Sequence, residues 1–460
     1  MTQLLGMARV GLPRMLLALA WAGAVTAQVP ATAPSAEPVT VSAEHPRLFL
    51  RPARLRLLRR ERERHSVRWQ QLETYVTAEA PLPEIGFAQA LYYQISGDSG
   101  FGRKAVAWAL GPGTDLRQLA LVFDWCQDLL SEAERRALIS RIEQRMTQSA
   151  GDESVGSIRS ITLAAIALFD HSAQTPNREL QRVVRVWWDG KIAPALNAGR
   201  PAIARRDAFP LWELLHALRD STNIDLRESS RKFFKEFPIE HLMSYYPAAF
   251  PGEDNDYRIG ATTQNGDPDL QQSALSRAAD LAMVAYDTNA EEMQYLQGWL
   301  MHDNFMLRSA FGAPYEFLWA NPYQPGLSFT HVPLIYDSPS SGHLFVRSDW
   351  EDTAEWFGYF DGAAQLFRDG RRISIDVKKP AEPLSFPSAV IAWGAAAPRL
   401  RVGLSEDQQT VILIGLTPGR TYQVEIDDEE VFEEKADVGG VLVVNVPGGK
   451  EIGLRARLVP

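Results

Sequence analysis

Apolar residues change their spacing about two thirds of the way along the chain, from the three- and four-residue period of helices to the two-residue alternation of strands. From about His45 to Ala310, helix-period segments follow one another with short polar or Pro-containing breaks between them. Leu116, Leu119, Ala120, Phe123 and Leu130 build one apolar face. Ser131-Glu132-Ala133-Glu134 then reads as a capping box, in which the serine hydroxyl and the second glutamate satisfy free amides at the start of the next helix. That helix presents Leu138, Ile139, Ile142 and Met146. The run Ile161 to Phe169 is apolar on every side, which predicts an inner helix covered by neighbours. Further periodic segments are predicted at Glu179–Leu196, Phe209–Ala217, Leu226–Phe237, Leu270–Tyr286 and Glu291–Phe311. No fixed-period repeat is detectable, so the pattern predicts helical hairpins without supporting a solenoid.

After Leu327 come short apolar runs and Gly or Pro turns. In the first strand Leu344, Val346 and Ser348 fall on one face and Phe345, Arg347 and Asp349 on the other. Further strands are predicted near Trp356–Phe360, Arg372–Val377, Ala389–Trp393, Thr410–Leu416, Thr421–Ile426, Gly440–Val446 and Ile452–Leu458. Asp369-Gly370 predicts a hairpin turn. The segment Leu416 to Val424 resembles the tyrosine corner of fibronectin type III domains. Too few strands follow Arg399 to close an independent seven-stranded sandwich, so the tail is expected to share a sheet system with residues 341–395.

Three stretches carry a broader resemblance: His45-Pro46-Arg47-Leu48-Phe49, Asp124-Trp125-Cys126, and the segment SGHLFVRSDWEDTAEWFGYFDG from Ser341 to Gly362. With the order of helices and strands, they resemble heparinase II/III-like polysaccharide lyases. The resemblance implies an incomplete α/α toroid of helical hairpins over 45–325, followed by an antiparallel β-sandwich over 326–460. It also implies β-elimination on a uronate-containing polysaccharide. The chain departs from the family in two places. Where the family carries a His-rich stretch, residues 363–377 read AAQLFRDGRRISIDV without histidine. Where the family tends to place an inner-helix Asn or His, this chain has Gly156-Ser157-Ile158-Arg159.

The chain has 460 residues, 45% hydrophobic and 23% charged, the balance of a globular protein expected to divide into two or three domains. Arg9 and Arg14 precede an apolar run from Met15 to Trp21, and Val25-Thr26-Ala27 supplies small residues before Gln28. This predicts a signal peptide over 1–27 and a secreted or periplasmic protein. Residues 28–44 are expected to be a disordered spacer, since Gln28 to Val41 is rich in Ala, Pro, Thr and Ser. No later stretch has the roughly 20 continuous apolar residues of a membrane span. Cys126 is the single cysteine and reads as apolar filler on a helix. A net charge of -10 argues against a general nucleic-acid binder, while the resemblance implies a polysaccharide, possibly uronate-containing, as the partner.

A lyase of this kind needs a carboxylate neutraliser, a base and a leaving-group acid. The polar segment Pro251-Gly252-Glu253-Asp254-Asn255-Asp256-Tyr257-Arg258 offers that mixture between two helical runs. Tyr257 is the candidate acid or base, Asn255 and Arg258 the candidate neutralisers, and Asp254 and Asp256 candidate sugar ligands. The same residues also describe an Asx-rich connection that bonds its own backbone. Glu213 and His216 lie three apart and share a helix face, as a site pair, a surface pair or an interior histidine would. Arg159 suits a substrate carboxylate or a structural ion pair. Asp124-Trp125 suits either a sugar platform or helix packing. His331 and His343 lie twelve apart without clustered partners, so no metal or cofactor is predicted. Two alternatives stay open. An inverting glycoside hydrolase would need two carboxylates roughly 6.5–9.5 Å apart, drawn from Asp124, Glu213, Asp254 and Asp256. A non-catalytic glycan-binding protein derived from a lyase would need neither.

Overall fold

The computed structural model describes residues 39–460 apart from 79–80, 173, 223, 250–257, 264–268, 304, 380 and 394–399. The expected signal peptide and most of the spacer lie outside the described residues. The first half is helical: α1 (Pro52–Glu63), α2 (Val67–Thr77), α3 (Ile85–Ser96), α4 (Ser99–Leu110), α5 (Leu116–Trp125), α6 (Glu132–Ser149) and α7 (Val155–Ala167) come first. They are followed by α8 (Thr175–Gln181), α9 (Ala193–Asn197), α10 (Ala208–Thr222), α11 (Arg231–Met243), α12 (Leu270–Tyr286), α13 (Glu291–Leu300) and α14 (Ala313–Trp319). Between α8 and α9, residues Arg182–Ile192 continue the helix in wider turns.

Local chemistry sets where these helices begin. Asp115 accepts from Gln118 N at the start of α5, Ser154 from Ser157 N at the start of α7, and Asp269 from Gln271 N at the start of α12. The capping box at α6 is present in full: Ser131 N donates to Glu134, and Glu134 N donates to Ser131 Oγ. Six helices, α3, α5, α7, α10, α12 and α14, pack in succession, and α14 returns to α3. Within α7, Ile158 and the run Ser160–Ala167 are buried, which is why no polar stripe interrupts that sequence. Cys126 is buried at the end of α5, and burial pushes its thiol far above the ordinary range.

The second half consists of sheets. Strands β1 (Ile335–Ser338), β2 (His343–Arg347), β3 (Trp356–Phe360), β4 (Ala363–Arg368) and β5 (Arg371–Ile375) pair antiparallel in chain order. Asp369 and Gly370 make the β4–β5 turn, both with positive φ, as the hairpin reading expects. The remaining strands are β6 (Leu384–Phe386), β7 (Ala389–Ala392), β8 (Leu400–Gly403), β9 (Thr410–Leu413), β10 (Thr421–Ile426), β11 (Glu430–Lys435), β12 (Leu442–Asn445) and β13 (Glu451–Leu458). They form two sheets, β12-β9-β7-β6 and β11-β10-β13-β8. The tail therefore shares strands with residues 384–392, as the strand count requires. One pair, β7 with β9, runs parallel, so the sheet system is mixed where the sequence predicts antiparallel pairing throughout. Thr417 N donates to the Tyr422 hydroxyl at 2.9 Å, the bond that the tyrosine-corner resemblance implies.

Alternation along β2 and β3 decides how the halves meet. Leu344, Val346 and Phe357 pack with Ile391 and Ile412 of the second sheet. Phe345, Trp356, Phe360 and Phe367 instead join the helical core. The second sheet is covered on its other face too, where Val390, Val411 and Leu413 meet Val424 and Leu454 of the third. Gly358 on β3 is required by close approach, since a Cβ there would lie 2.2 Å from the Trp356 ring. Polar bonds fix the seam between helices and sheet. Trp356 Nε1 donates to Met243 O at 2.8 Å, the Tyr246 hydroxyl to Gln365 Oε1 at 2.8 Å, and Gln365 Nε2 to Thr262 O at 2.8 Å. Among the described residues, no helix is long and apolar enough to cross a membrane.

Candidate functional site

The inner helices bring two of the sequence-predicted residues together. Glu213 on α10 is fully buried and is held by Arg117 of α5 through two bonds of 2.7 and 2.6 Å. Arg159 of α7 adds a third at 2.9 Å. Arg117 reaches Glu84 at 2.7 Å as well, and its guanidinium lies over the Phe87 and Tyr315 rings. Burial alone would raise the Glu213 carboxyl. The two arginines outweigh it and hold the group below the usual carboxylate range. Arg159 thus takes the ion-pair role, and Glu213 has no free oxygen for a sugar.

His216 does not join Glu213 in a pocket. Its Nε2 bonds to Ala282 O at 2.8 Å, and its ring packs 4.4 Å from Trp319 and 4.7 Å from Tyr286. Burial lowers it to about 4 despite the nearby Asp220 carboxylate, so it is a neutral interior histidine. Asp124 and Trp125 are also corrected. The Asp124 carboxylate accepts from the amides of Arg47 and Leu48 at 3.0 and 2.9 Å and pairs with the His45 ring. Trp125 is buried and donates to Leu48 O at 2.9 Å. Both side chains anchor the segment entering the first helix, which leaves no indole face for a pyranose.

Chemistry concentrates instead where α11 meets β1 and β2, with α12 and α13 packed against α11. The Arg258 guanidinium lies 4.5 Å from the centre of the Trp299 ring and pairs with Asp352; its side chain is 27% exposed. Asp254, Asn255, Asp256 and Tyr257 lie outside the described residues. Beneath this surface the Tyr245 hydroxyl donates to Asp280 Oδ2 at 2.8 Å, and His241 Nε2 approaches the other oxygen of Asp280 at 2.7 Å. Burial, then the Asp280 carboxylate, push the Tyr245 phenol well above its ordinary range, so it stays a neutral donor. Arg347, on the face of β2 turned to the helices, donates to Tyr245 O.

A second acid–base group spans the same seam. His343 of β2 bonds through Nδ1 to Glu240 of α11 at 2.7 Å, and its Nε2 lies 3.6 Å from Asp361 in the β3–β4 turn. Burial opposes a charge here, but Asp361 and Glu240 prevail and raise the imidazole to about 9. It is a cation at neutral pH. Arg205 lies over the Phe345 and Phe360 rings beside it. In the sequence His343 stands out only beside His331, as a metal-ligand candidate without clustered partners. Its partner Glu240 is 103 residues away, and no local signal connects them.

Among the described residues, no group of three or more His, Cys, Asp or Glu side chains is placed to hold a metal ion. No known family model matches the chain, and no curated protein is similar to it at a significant level.

Proposed function

We propose that this is an exported carbohydrate-active protein of the polysaccharide-lyase type, acting on a uronate-containing chain by β-elimination at the seam between helices and first sheet. The observation that carries the reading is the partly exposed Arg258 guanidinium, held over the buried Trp299 ring at that seam. A fixed, partly exposed cation suits a sugar ring that bears a carboxylate. The order of the fold supports it too. Six inner helices contacting in a ring suit an incomplete α/α toroid, and the stacked sheets after them suit a β-sandwich domain. Export rests on the basic, apolar and small-residue order of residues 1–27.

In such a reaction a base takes the proton beside the carboxylate, the bond from the neighbouring carbon to the glycosidic oxygen breaks, and that oxygen receives a proton. The product is an unsaturated uronate. Tyr257, next in sequence to Arg258, takes the acid–base role, with Arg258 stabilising phenolate or pairing with the substrate. Asn255 remains a candidate neutraliser. Arg159 drops out because Glu213 holds it. Tyr257→Phe keeps the ring and removes the ionisable hydroxyl, so turnover measured by absorbance of the unsaturated product should fall roughly a hundredfold or more. Activity within a few-fold of wild type would remove Tyr257 from the mechanism.

A non-catalytic glycan-binding protein is the second reading. It is favoured by the commitment of Glu213, Asp124 and His216 to internal partners. The inverting-hydrolase reading keeps only Asp254 and Asp256 of its four carboxylates, since the side chains of Asp124 and Glu213 are buried and fully engaged.

A further inference from the structure

The connection from α9 to α10, helix α11 and the β1–β2 turn enclose a recess of about 30 Å³. It shares no lining residue with the Arg258–Trp299 seam. Connection and turn touch directly, since a Cβ on Gly199 would lie 3.4 Å from the Ser340 Cα. Three cationic side chains line the recess, Arg200, Arg205 and His343, against one carboxylate, Glu240. That carboxylate is already engaged. One oxygen takes the His343 ring at 2.7 Å, and the other accepts from the Ser341 hydroxyl at 3.2 Å and the Tyr336 hydroxyl at 3.4 Å. Arg205 makes no ion pair among the described residues. Its Nη1 donates to Ala261 O at 2.9 Å, its guanidinium lies over the Phe345 and Phe360 rings, and its Nε–H is buried without a partner. Burial holds the group below its ordinary range, and the charges of Glu240 and Asp361 offset that only in part. A guanidinium taken out of water is usually matched by an anion.

We propose that this recess binds a small monocarboxylate, formate or acetate in size, with its carboxylate on Arg205 and its carbon end against Phe233 and Phe237. Size and charge select that class. The volume holds roughly two water-sized groups, which is too little for a sugar ring. Glu240 in the wall disfavours a dianion such as phosphate. A planar carboxylate matches the fork of a guanidinium, whereas a halide offers it a single point. The apolar rings receive a methyl group at no polar cost. Neither the residues nor the ligand are those of the lyase reading.

The test is titration of the full chain with sodium acetate replacing sodium chloride at fixed ionic strength, read by saturation-transfer NMR of the acetate methyl and by melting temperature. Acetamide, neutral and of the same shape, and pivalate, a carboxylate with a bulky end, are the controls. Acetate should give saturation transfer and raise the melting temperature, because it binds only the folded chain. Acetamide should do neither, and pivalate should bind several-fold more weakly than acetate. Arg205→Met should weaken acetate binding by about tenfold or more, the effect of losing a charged hydrogen-bond donor. Arg205→Lys should restore part of it. Arg200→Gln, at an exposed position, should weaken acetate several-fold and gives the answer if the Arg205 variants fail to fold. An Arg205→Met protein that melts lower than wild type with acetate affinity intact would make the arginine purely structural and overturn the assignment. A melting temperature indifferent to the exchange of chloride for acetate, or an equal response to acetamide, would overturn it as well.

Discussion

Replacing Glu213 with alanine is expected to destabilise the protein by about 3–5 kcal/mol, the usual cost of removing one member of a buried ion pair. Arg117 keeps Glu84, but Arg159 loses its carboxylate and both guanidinium groups remain inside the helix ring. Glu213→Gln keeps the shape and should still cost much of that, since the amide offers one acceptor to two cations. The double variant Glu213→Leu, Arg159→Met should recover part of the loss, because it removes a charge along with its partner. The pH dependence has a definite sign. A carboxyl held below its unfolded value, about 4.3, contributes stability above that pH and loses it as pH falls through the folded value. Thermal melting followed from pH 7 to well below pH 4, down to about pH 2, reads both effects; a Glu213→Ala protein as stable as wild type would show that the cage is not ionised.

The second large effect lies at the seam, where raising pH should loosen the hold of the sheet on α11. His343 is raised to about 9 against an unfolded value near 6.5, so its contribution is complete below pH 6.5 and lost as pH rises through 9. At about 1.4 kcal/mol per unit this amounts to roughly 3 kcal/mol, with little solvent screening at a buried site. The groups facing the ring are Glu240, Asp361 and Arg205, while the Tyr336 and Ser341 hydroxyls share Glu240. His343→Gln should be less stable than wild type at pH 6 and should flatten the decline between pH 7 and 9. An unchanged decline in that variant would assign the pH dependence to other groups.

Local signals were the legible ones. The capping box at Ser131 and the hairpin at Asp369-Gly370 are read within a few residues, and their geometry depends on nothing distant. The two faces of β2 follow from strict alternation between a helical core and a second sheet. Strand β11 carries no alternating signal because EVFEEK is a charged edge strand with almost no buried face. The parallel β7–β9 pair is set by strand stacking, which no turn residue announces. The helix expected over Glu291–Phe311 gives up its regular turns at Leu300, where Met301–Asp303 tightens. Site residues were harder, since a charged residue on an apolar face looks alike whether it meets solvent or an arginine 96 positions earlier. Asp124-Trp125 fits a sugar platform as well as helix packing in the sequence because its partners, the backbone of Arg47 and Leu48, are 76–77 residues away. Alternation puts Arg347 on one face with Phe345, but what its guanidinium meets there, the Tyr245 carbonyl and the Trp350 ring, is a fact of packing alone.

The most direct test of the central claim is a polysaccharide panel read two ways, by ultraviolet absorbance of the unsaturated uronate product and by new reducing ends. A lyase acting at the Arg258–Trp299 seam predicts both signals together on at least one uronate polymer and neither on a neutral glucan. New reducing ends without absorbance would contradict it in favour of a hydrolase, and neither signal on any uronate polymer, with binding retained, would contradict it in favour of a receptor.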